Sequence, residues 1–75
     1  MIYSDKEIII SHHAFKRALE RKIFPDMIEA TLKSGITERF GKNKVKFIKR
    51  YKKGNVICLG EIKNSIIKII TIEWG

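Results

Sequence analysis

Apolar positions in the first half of the chain follow a helical spacing. Over residues 12–22 the apolar side chains fall on one side of a helical wheel and charged side chains fill the rest; the apolar set is Ala14, Phe15, Ala18 and Leu19. Ser11 stands at the N-cap position, where its hydroxyl can accept the amide hydrogen of residue 13 or 14. The pattern predicts an amphipathic first helix whose alanines allow close approach to a neighbour.

A second helix is predicted after a very short connection. Pro25 is favoured at the first position of a helix and Gly35 just past its end, so the two residues bracket the predicted element. Its apolar residues give one buried stripe: Met27, Ile28, Thr31 and Leu32. The two helices are expected to form a hairpin.

Beyond Gly35 the pattern becomes extended. Alternating runs separated by short turn sequences predict strands at about 36–40, 44–52, 55–62 and 65–74. Connections of two or three residues join only antiparallel neighbours. The last strand is apolar on both faces and is expected to be central or covered. Residues 1–10 form an extended lead-in, in which Ile8-Ile9-Ile10 is either a short strand or a cover over the core.

These elements predict an α+β fold, with an N-terminal helix hairpin packed on a four-stranded antiparallel sheet. Seventy-five residues suffice for a single domain, residues 1–75. The chain carries 16 Lys and Arg against 8 Asp and Glu, a net charge of +8. That charge favours a polyanionic partner, nucleic acid first; the alternative is a solvated basic surface on a lysine-rich protein.

Cysteine usage and hydropathy limit the other classes of function. Cys58 is the only cysteine, so an internal disulfide or a cysteine-based metal site is excluded, and its apolar neighbours predict a buried structural thiol. The apolar run near the start is too short for a signal peptide or a membrane span. A cytoplasmic protein with no membrane partner is therefore expected. His12 and His13 point about 100° apart on a helix, so neither a metal site nor another cofactor is predicted.

His13, Arg17 and Arg21 recur every four residues of the first helix. This spacing places them on one ridge about 12 Å long. A histidine and two arginines on one ridge are suited to binding, and cutting, a phosphodiester. The alternative is that His13 faces solvent while the arginines bind the sheet edge, Glu61 or Glu73. His12 borders the apolar stripe and is expected to be packed, which makes it the second choice as a base.

The same segment resembles a known family signature. The run His13-Ala14-x-x-Arg17-x-x-Glu20-Arg21-x-Ile23 is similar to the His-Ala-x-x-Arg-x-x-Glu-Arg-Gly-Ile signature of a small bacterial and archaeal domain family of unknown function. That family is placed near BrnT in the RelE/ParE toxin superfamily and ends in a strand close to Ile70-Thr71-Ile72-Glu73. Lys22 replaces the usual glycine, Phe24-Pro25-Asp26 replaces the usual cap of helix two, and Trp74 follows Glu73, which stands where an aromatic is common.

The resemblance implies a RelE-like fold and a metal-independent endoribonuclease that is the toxin of a toxin–antitoxin pair, with RNA and an antitoxin protein as partners. In such enzymes the RNA 2′-hydroxyl attacks the adjacent phosphorus and leaves a 2′,3′-cyclic phosphate. His13 is then the base, because the first turn of a helix favours a neutral imidazole. Arg17 binds the scissile phosphate and Arg21 a flanking one. Glu20 supports an arginine or pairs with Lys16, and Thr71 is a further supporting residue.

A second basic feature lies on the predicted strand 44–52. Its cations are interleaved with aromatic residues, as in surfaces that track a nucleic-acid backbone. The predicted nucleic-acid-binding residues are Lys16, Lys44, Lys46, Lys49, Arg50, Tyr51 and Lys52, whereas Phe47 is assigned to the core. The bland alternative is an edge strand that its lysines protect from aggregation. Two other functions stay open, a non-catalytic nucleic-acid-binding module and a module that binds an antitoxin or another acidic protein.

Overall fold

A computed structural model describes all residues, 1–75, and contains two helices and six strands. In chain order the elements are β1 (Ile2–Tyr3), β2 (Lys6–Ile10), α1 (His12–Glu20), α2 (Pro25–Ser34), β3 (Ile36–Phe40), β4 (Lys44–Tyr51), β5 (Gly54–Lys63) and β6 (Ile66–Trp74). The predicted helices and the four predicted strands are confirmed to within one or two residues at their ends. Neither helix has the length and hydrophobicity needed to cross a bilayer.

All six strands form one mixed sheet that curves into a half-barrel, in the order β1-β2-β6-β5-β4-β3. β2 runs parallel to β6, with Ile8 opposite Ile67, and every other pairing is antiparallel. The predicted fold class, a RelE-like helix hairpin on a four-stranded antiparallel sheet, is therefore wrong. Two strands precede the helices, and the lead-in is an integral part of the sheet rather than a cover.

The β1–β2 hairpin depends on two residues with left-handed backbone. Ser4 and Asp5 have φ values of 48° and 65°, and they form the whole connection between the two strands. Positive φ at both central residues is the geometry of a type I′ turn, whose twist matches that of the flanking strands. Because the turn has serine and aspartate in place of the usual Asn-Gly, the sequence gives only a weak signal for it.

The core lies between the two helices and the inner face of the sheet. α1 packs on β6, and α2 packs on β4 and β5. Ala14 and Ala18 are fully buried, so α1 lies close to the sheet as its small residues predicted. Phe47 is confirmed as a core residue, and the edge of its ring contacts Tyr3 at a centroid separation of 5.4 Å. That contact joins β1, at one edge of the sheet, to β4, the strand next to the other edge.

α1 ends in a Schellman motif whose special position is filled by lysine. The Ile23 amide donates to the Ala18 carbonyl at 2.9 Å, and the Lys22 amide donates to the Leu19 carbonyl at 3.0 Å. Lys22 has a φ of 61°, a left-handed conformation that costs an L-residue about 1–2 kcal/mol and costs glycine little. The residue that departs from the family signature is thus the one held in strained backbone.

Replacement of Lys22 by glycine should raise the free energy of unfolding by about 1 kcal/mol, because the strain is relieved while the two capping hydrogen bonds remain. Urea denaturation measures the change. Lys16→Gly is the matched control, since it removes the same charge from an exposed interior position of α1 and should lower stability by about 1 kcal/mol. Equal effects of the two changes would contradict the assignment of strain to Lys22.

Cys58 is buried on β5, as predicted for a structural thiol. Burial raises the pKa of Cys58 from its ordinary value of 9.0 to about 12, because the thiolate would lose its hydration. The native thiol keeps its proton at pH values where the unfolded chain loses it. The stability that this difference contributes is complete below pH 9.0 and is lost as the pH rises towards 12.

We expect the unfolding free energy of the native protein to fall by about 2 kcal/mol more than that of Cys58→Ala between neutral pH and about pH 10.5. The pH dependence of the alanine variant contains the contributions of all other titrating groups, including the lysines. The difference between the two proteins is therefore the contribution of the Cys58 thiol. Denaturant unfolding at a series of pH values gives both curves. Parallel curves would show that the thiol ionises equally easily in the folded and unfolded chains.

Candidate functional site

The end of β2 fixes where α1 begins. The Ser11 amide donates to the Ile69 carbonyl at 3.0 Å and continues the contact of β2 with β6 by one residue. The Ser11 hydroxyl then accepts the amide hydrogen of Ala14 at 3.1 Å, which confirms the predicted N-cap. Because the chain turns into the helix here, the edge of β6 that faces away from β5 lies beside α1 over the rest of its length.

Two long-range hydrogen bonds hold the other end of α1 against β6. Arg21 Nη1 donates to the Ile72 carbonyl at 2.9 Å, and the Trp74 indole Nε1 donates to the Arg21 carbonyl at 2.7 Å. The alternative in which an arginine binds the sheet edge is therefore correct for Arg21. Glu61, by contrast, pairs with Lys44.

A cleft of about 140 Å³ lies between α1 and the second half of β6, and we call it the α1–β6 cleft. Its lining contains all three predicted catalytic residues and the supporting threonine: His13, Ala14, Arg17, Arg21, Ile70, Thr71 and Ile72. The helical spacing predicted the ridge, and the structure places Thr71 on the wall that faces it.

A β-bulge shapes the floor of this cleft. Leu59 pairs with Thr71 and Gly60 with Ile69, so Ile70 is an extra residue on β6 without a partner on β5. Bulges bend a strand and redirect its side chains, and they are frequent beside active sites. The sequence carries one local signal for this bulge, Gly60 within β5, because an isolated glycine inside a strand often marks a bulge.

The cations of the cleft differ in how firmly they are held. Arg17 Nε lies 3.3 Å from Glu20 Oε1, and both side chains are about half exposed, so the pair contributes little to stability and can open. Arg21 is half-buried and uses one of its five N–H donors on Ile72, which leaves other donors for a ligand. His13 is exposed at the mouth of the cleft. Glu20 thus supports an arginine and does not pair with Lys16, which is exposed.

His12 is outside the cleft. Its side chain is exposed, so the prediction of a packed histidine is wrong. His13 is the histidine that lines the cleft, whereas His12 points away along the helix wheel. No group of three or more histidine, cysteine, aspartate or glutamate side chains gathers in a geometry suited to a metal ion.

The structure divides the predicted basic stripe of β4 between two faces. Lys44 and Lys46 lie on the outer face in ion pairs with Glu61 and Glu38, at 3.1 and 3.6 Å. Lys46 Nζ also lies 5.8 Å from the centre of the Phe40 ring. β4 lies between β3 and β5, so the alternative of a lysine-protected edge strand is wrong.

Tyr51 faces the helices. Its hydroxyl donates to the Met27 carbonyl at 3.3 Å and its ring packs against the core, which leaves little of it free to stack on a base. The remaining cations cluster where β4 turns into β5, and we call residues 49–53 the hairpin tip. Its basic residues take part in no ion pair of the structure: Lys49, Arg50, Lys52 and Lys53. Of the predicted nucleic-acid-binding residues, Arg50 and Lys52 line one surface at this turn together with Lys53, whereas Lys49 points to the opposite face of the sheet from Arg50.

No protein-family model matches this chain, and no match was found among curated proteins or among solved structures. The resemblance of residues 13–23 to a family signature therefore stays a prediction.

Proposed function

We propose that this protein is a metal-independent endoribonuclease whose active site is the α1–β6 cleft. The observation that carries the proposal is the shared cleft itself, whose lining brings together an exposed histidine and two arginines. A phosphodiester needs a proton acceptor and forked cationic donors at close range, and these side chains provide both. The net charge of +8 favours RNA as the substrate that reaches them.

In the proposed reaction the 2′-hydroxyl of the RNA attacks the adjacent phosphorus. His13 accepts the hydroxyl proton as the new O–P bond forms, which is worth about 10²–10⁴ in rate. Arg17 leaves Glu20 and donates to the non-bridging oxygens, where negative charge accumulates. The bond to the 5′-oxygen breaks, and that oxygen takes a proton from water. The products are a 2′,3′-cyclic phosphate and a 5′-hydroxyl, and His13 returns its proton to solvent.

Arg21 has a fixed place in this scheme. Its hydrogen bond to Ile72 holds the guanidinium at the floor of the cleft, so its free donors are already oriented towards a flanking phosphate. Thr71 lines the same cleft, next to Ile72 on β6. The toxin role and an antitoxin partner are proposed from the signature resemblance. Action in the cytoplasm is proposed from the single buried cysteine, since disulfide-free chains are typical of that compartment.

The second candidate is a non-catalytic nucleic-acid-binding module. The observation in its favour is the hairpin tip, whose four cations have no carboxylate partner and lie away from the cleft. Such a surface binds phosphates without chemistry.

The deciding experiment is incubation of the purified protein with labelled single-stranded RNA in EDTA, followed by identification of the product ends. The endoribonuclease proposal requires cleavage in the chelator with 2′,3′-cyclic phosphate ends. Cleavage that leaves 3′-hydroxyl ends would contradict the proposed attack by the 2′-hydroxyl. RNA that is bound and stays intact, on free RNA and on ribosome-bound mRNA alike, would favour the binding module instead.

A further inference from the structure

The end of α1, the end of β6 and the hairpin tip are joined through Trp74. The indole N–H of Trp74 donates to the Arg21 carbonyl, and Lys53 Nζ lies 5.8 Å from the centre of the Trp74 ring. Arg21 belongs to the α1–β6 cleft and Lys53 to the hairpin tip, so one aromatic side chain contacts both basic surfaces. Neither contact is visible in the sequence, where these residues are separated by more than twenty positions.

The backbone around Trp74 fixes the position of the tip. Asn55 and Gly75 exchange two hydrogen bonds, at 3.1 and 2.8 Å, directly beside the hairpin turn. Gly54 has a φ of 138°, a conformation open to glycine, and a Cβ added there would lie 4.0 Å from Cε3 of the Trp74 indole. The tip is thus held against the end of β6, and its cations have a defined place relative to the cleft.

The charged side chains along this path are all positive. From the cleft the path passes Arg21 and the adjacent exposed Lys22, crosses Trp74, and reaches Lys53 and Lys52. None of these cations is in an ion pair. Two carboxylates adjoin the path: Glu20, next to Arg21, pairs with Arg17, and Glu73, next to Trp74, projects from the opposite face of β6, where it pairs in register with Ile57. Unpaired cations in a row favour a ligand with repeated negative charges.

We propose that the RNA-binding surface continues from the α1–β6 cleft across Trp74 to the hairpin tip, and that it binds the phosphates of a single strand leaving the cleft. The inference rests on the proposed function, because it assigns a strand to the same cleft. The ridge alone spans about 12 Å, and the tip lengthens the surface to that of a multi-nucleotide site. Trp74 contacts both the α1–β6 cleft and the hairpin tip and so holds them in a fixed relative position.

The test measures binding separately from cleavage. A labelled DNA strand of about twelve thymidines lacks the attacking 2′-hydroxyl, and its length suits a single-strand site. Fluorescence anisotropy at several salt concentrations compares the native protein with Lys52→Ala/Lys53→Ala. Loss of two phosphate contacts should weaken binding about 25-fold at 0.1 M salt and make the slope of log affinity against log salt shallower by about 1.4.

Lys63→Ala/Lys68→Ala is the matched control, because it removes the same charge at the opposite end of the sheet. It should change affinity only a few-fold, and equal weakening by both double variants would overturn the proposal in favour of a general charge effect.

Trp74 is the only tryptophan, so its fluorescence emission reports on the proposed path directly. The strand should change that emission with the same midpoint as the anisotropy, and unchanged emission at saturation would also overturn the proposal. Intact RNA in the cleavage assay, by contrast, would reject only the ribonuclease.

Discussion

Replacement of His13 by alanine should lower the rate of RNA cleavage by about 10²–10⁴-fold, because the 2′-hydroxyl loses the group that accepts its proton. The fold should survive, since the His13 side chain is exposed and makes no hydrogen bond in the structure. A change at such a position alters the free energy of unfolding by under ~0.5 kcal/mol. Initial rates on labelled RNA, together with urea denaturation of the same preparation, measure both quantities.

His12→Ala is the matched control for this prediction. His12 is the adjacent residue on the same helix, is equally exposed, and lies outside the α1–β6 cleft. Its loss should leave the cleavage rate within about twofold of the native value. Full activity of the His13 variant would place the proton acceptor elsewhere. A His12 variant that loses activity while the His13 variant keeps it would exchange the two roles.

The ion pair with Glu20 makes Arg17 different from Arg21, the other arginine of the cleft. Arg17 can reach a phosphate only when it leaves Glu20, and an exposed pair of this kind is worth at most about 1 kcal/mol. Arg21 stays bound to the Ile72 carbonyl and needs no rearrangement. One guanidinium therefore adapts to the ligand while the other is fixed in advance, which suits a substrate whose phosphate changes geometry as it reacts.

The local elements of this fold could be predicted from the sequence, whereas their assembly could not. Ser11, Pro25 and Gly35 mark the helix ends through rules that act within a few residues. The parallel pairing of β2 with β6 joins residues nearly sixty positions apart, and no short-range rule encodes it. One signal is present, because β6 is apolar on both faces, a pattern that predicts a central or covered strand. A four-stranded meander leaves its last strand at an edge, so a central β6 requires another strand beside it, and β2 is that strand.

In the candidate site, too, the local part could be predicted from the sequence and the part that depends on assembly could not. The ridge of His13, Arg17 and Arg21 follows from helical spacing alone and appears in the structure as one wall of a cleft. The opposite wall depends on where β6 lies, and Thr71 was proposed only through the family resemblance. The contact of Lys53 with Trp74 arises from strand register, which the sequence pattern leaves undetermined between apolar strands. Gly60 is the one residue of the pattern that marks the bulge at Ile70.

The corrected sheet makes a strong prediction for Ile8. Its side chain is 7% exposed and lies in register with Ile67 in the core, so Ile8→Ala should lower the free energy of unfolding by about 2–4 kcal/mol. A chain of this length has a total stability of about 4–11 kcal/mol, so this is a large fraction of the whole. Urea denaturation followed by the fluorescence of Trp74 measures the loss.

Ile9→Ala is the control that separates an integral strand from a loose cover. Ile9 is the next residue of β2, points to the outer face and is 41% exposed, so its truncation should cost about 1 kcal/mol or less. A strand paired with β6 requires this alternation, because successive side chains face opposite sides of the sheet. A lead-in that only covers the core would show small and similar losses at both positions. Small and similar losses of stability at both positions would contradict the pairing of β2 with β6. They would then also contradict the placement of α1 beside Ile69, on which the cleft depends.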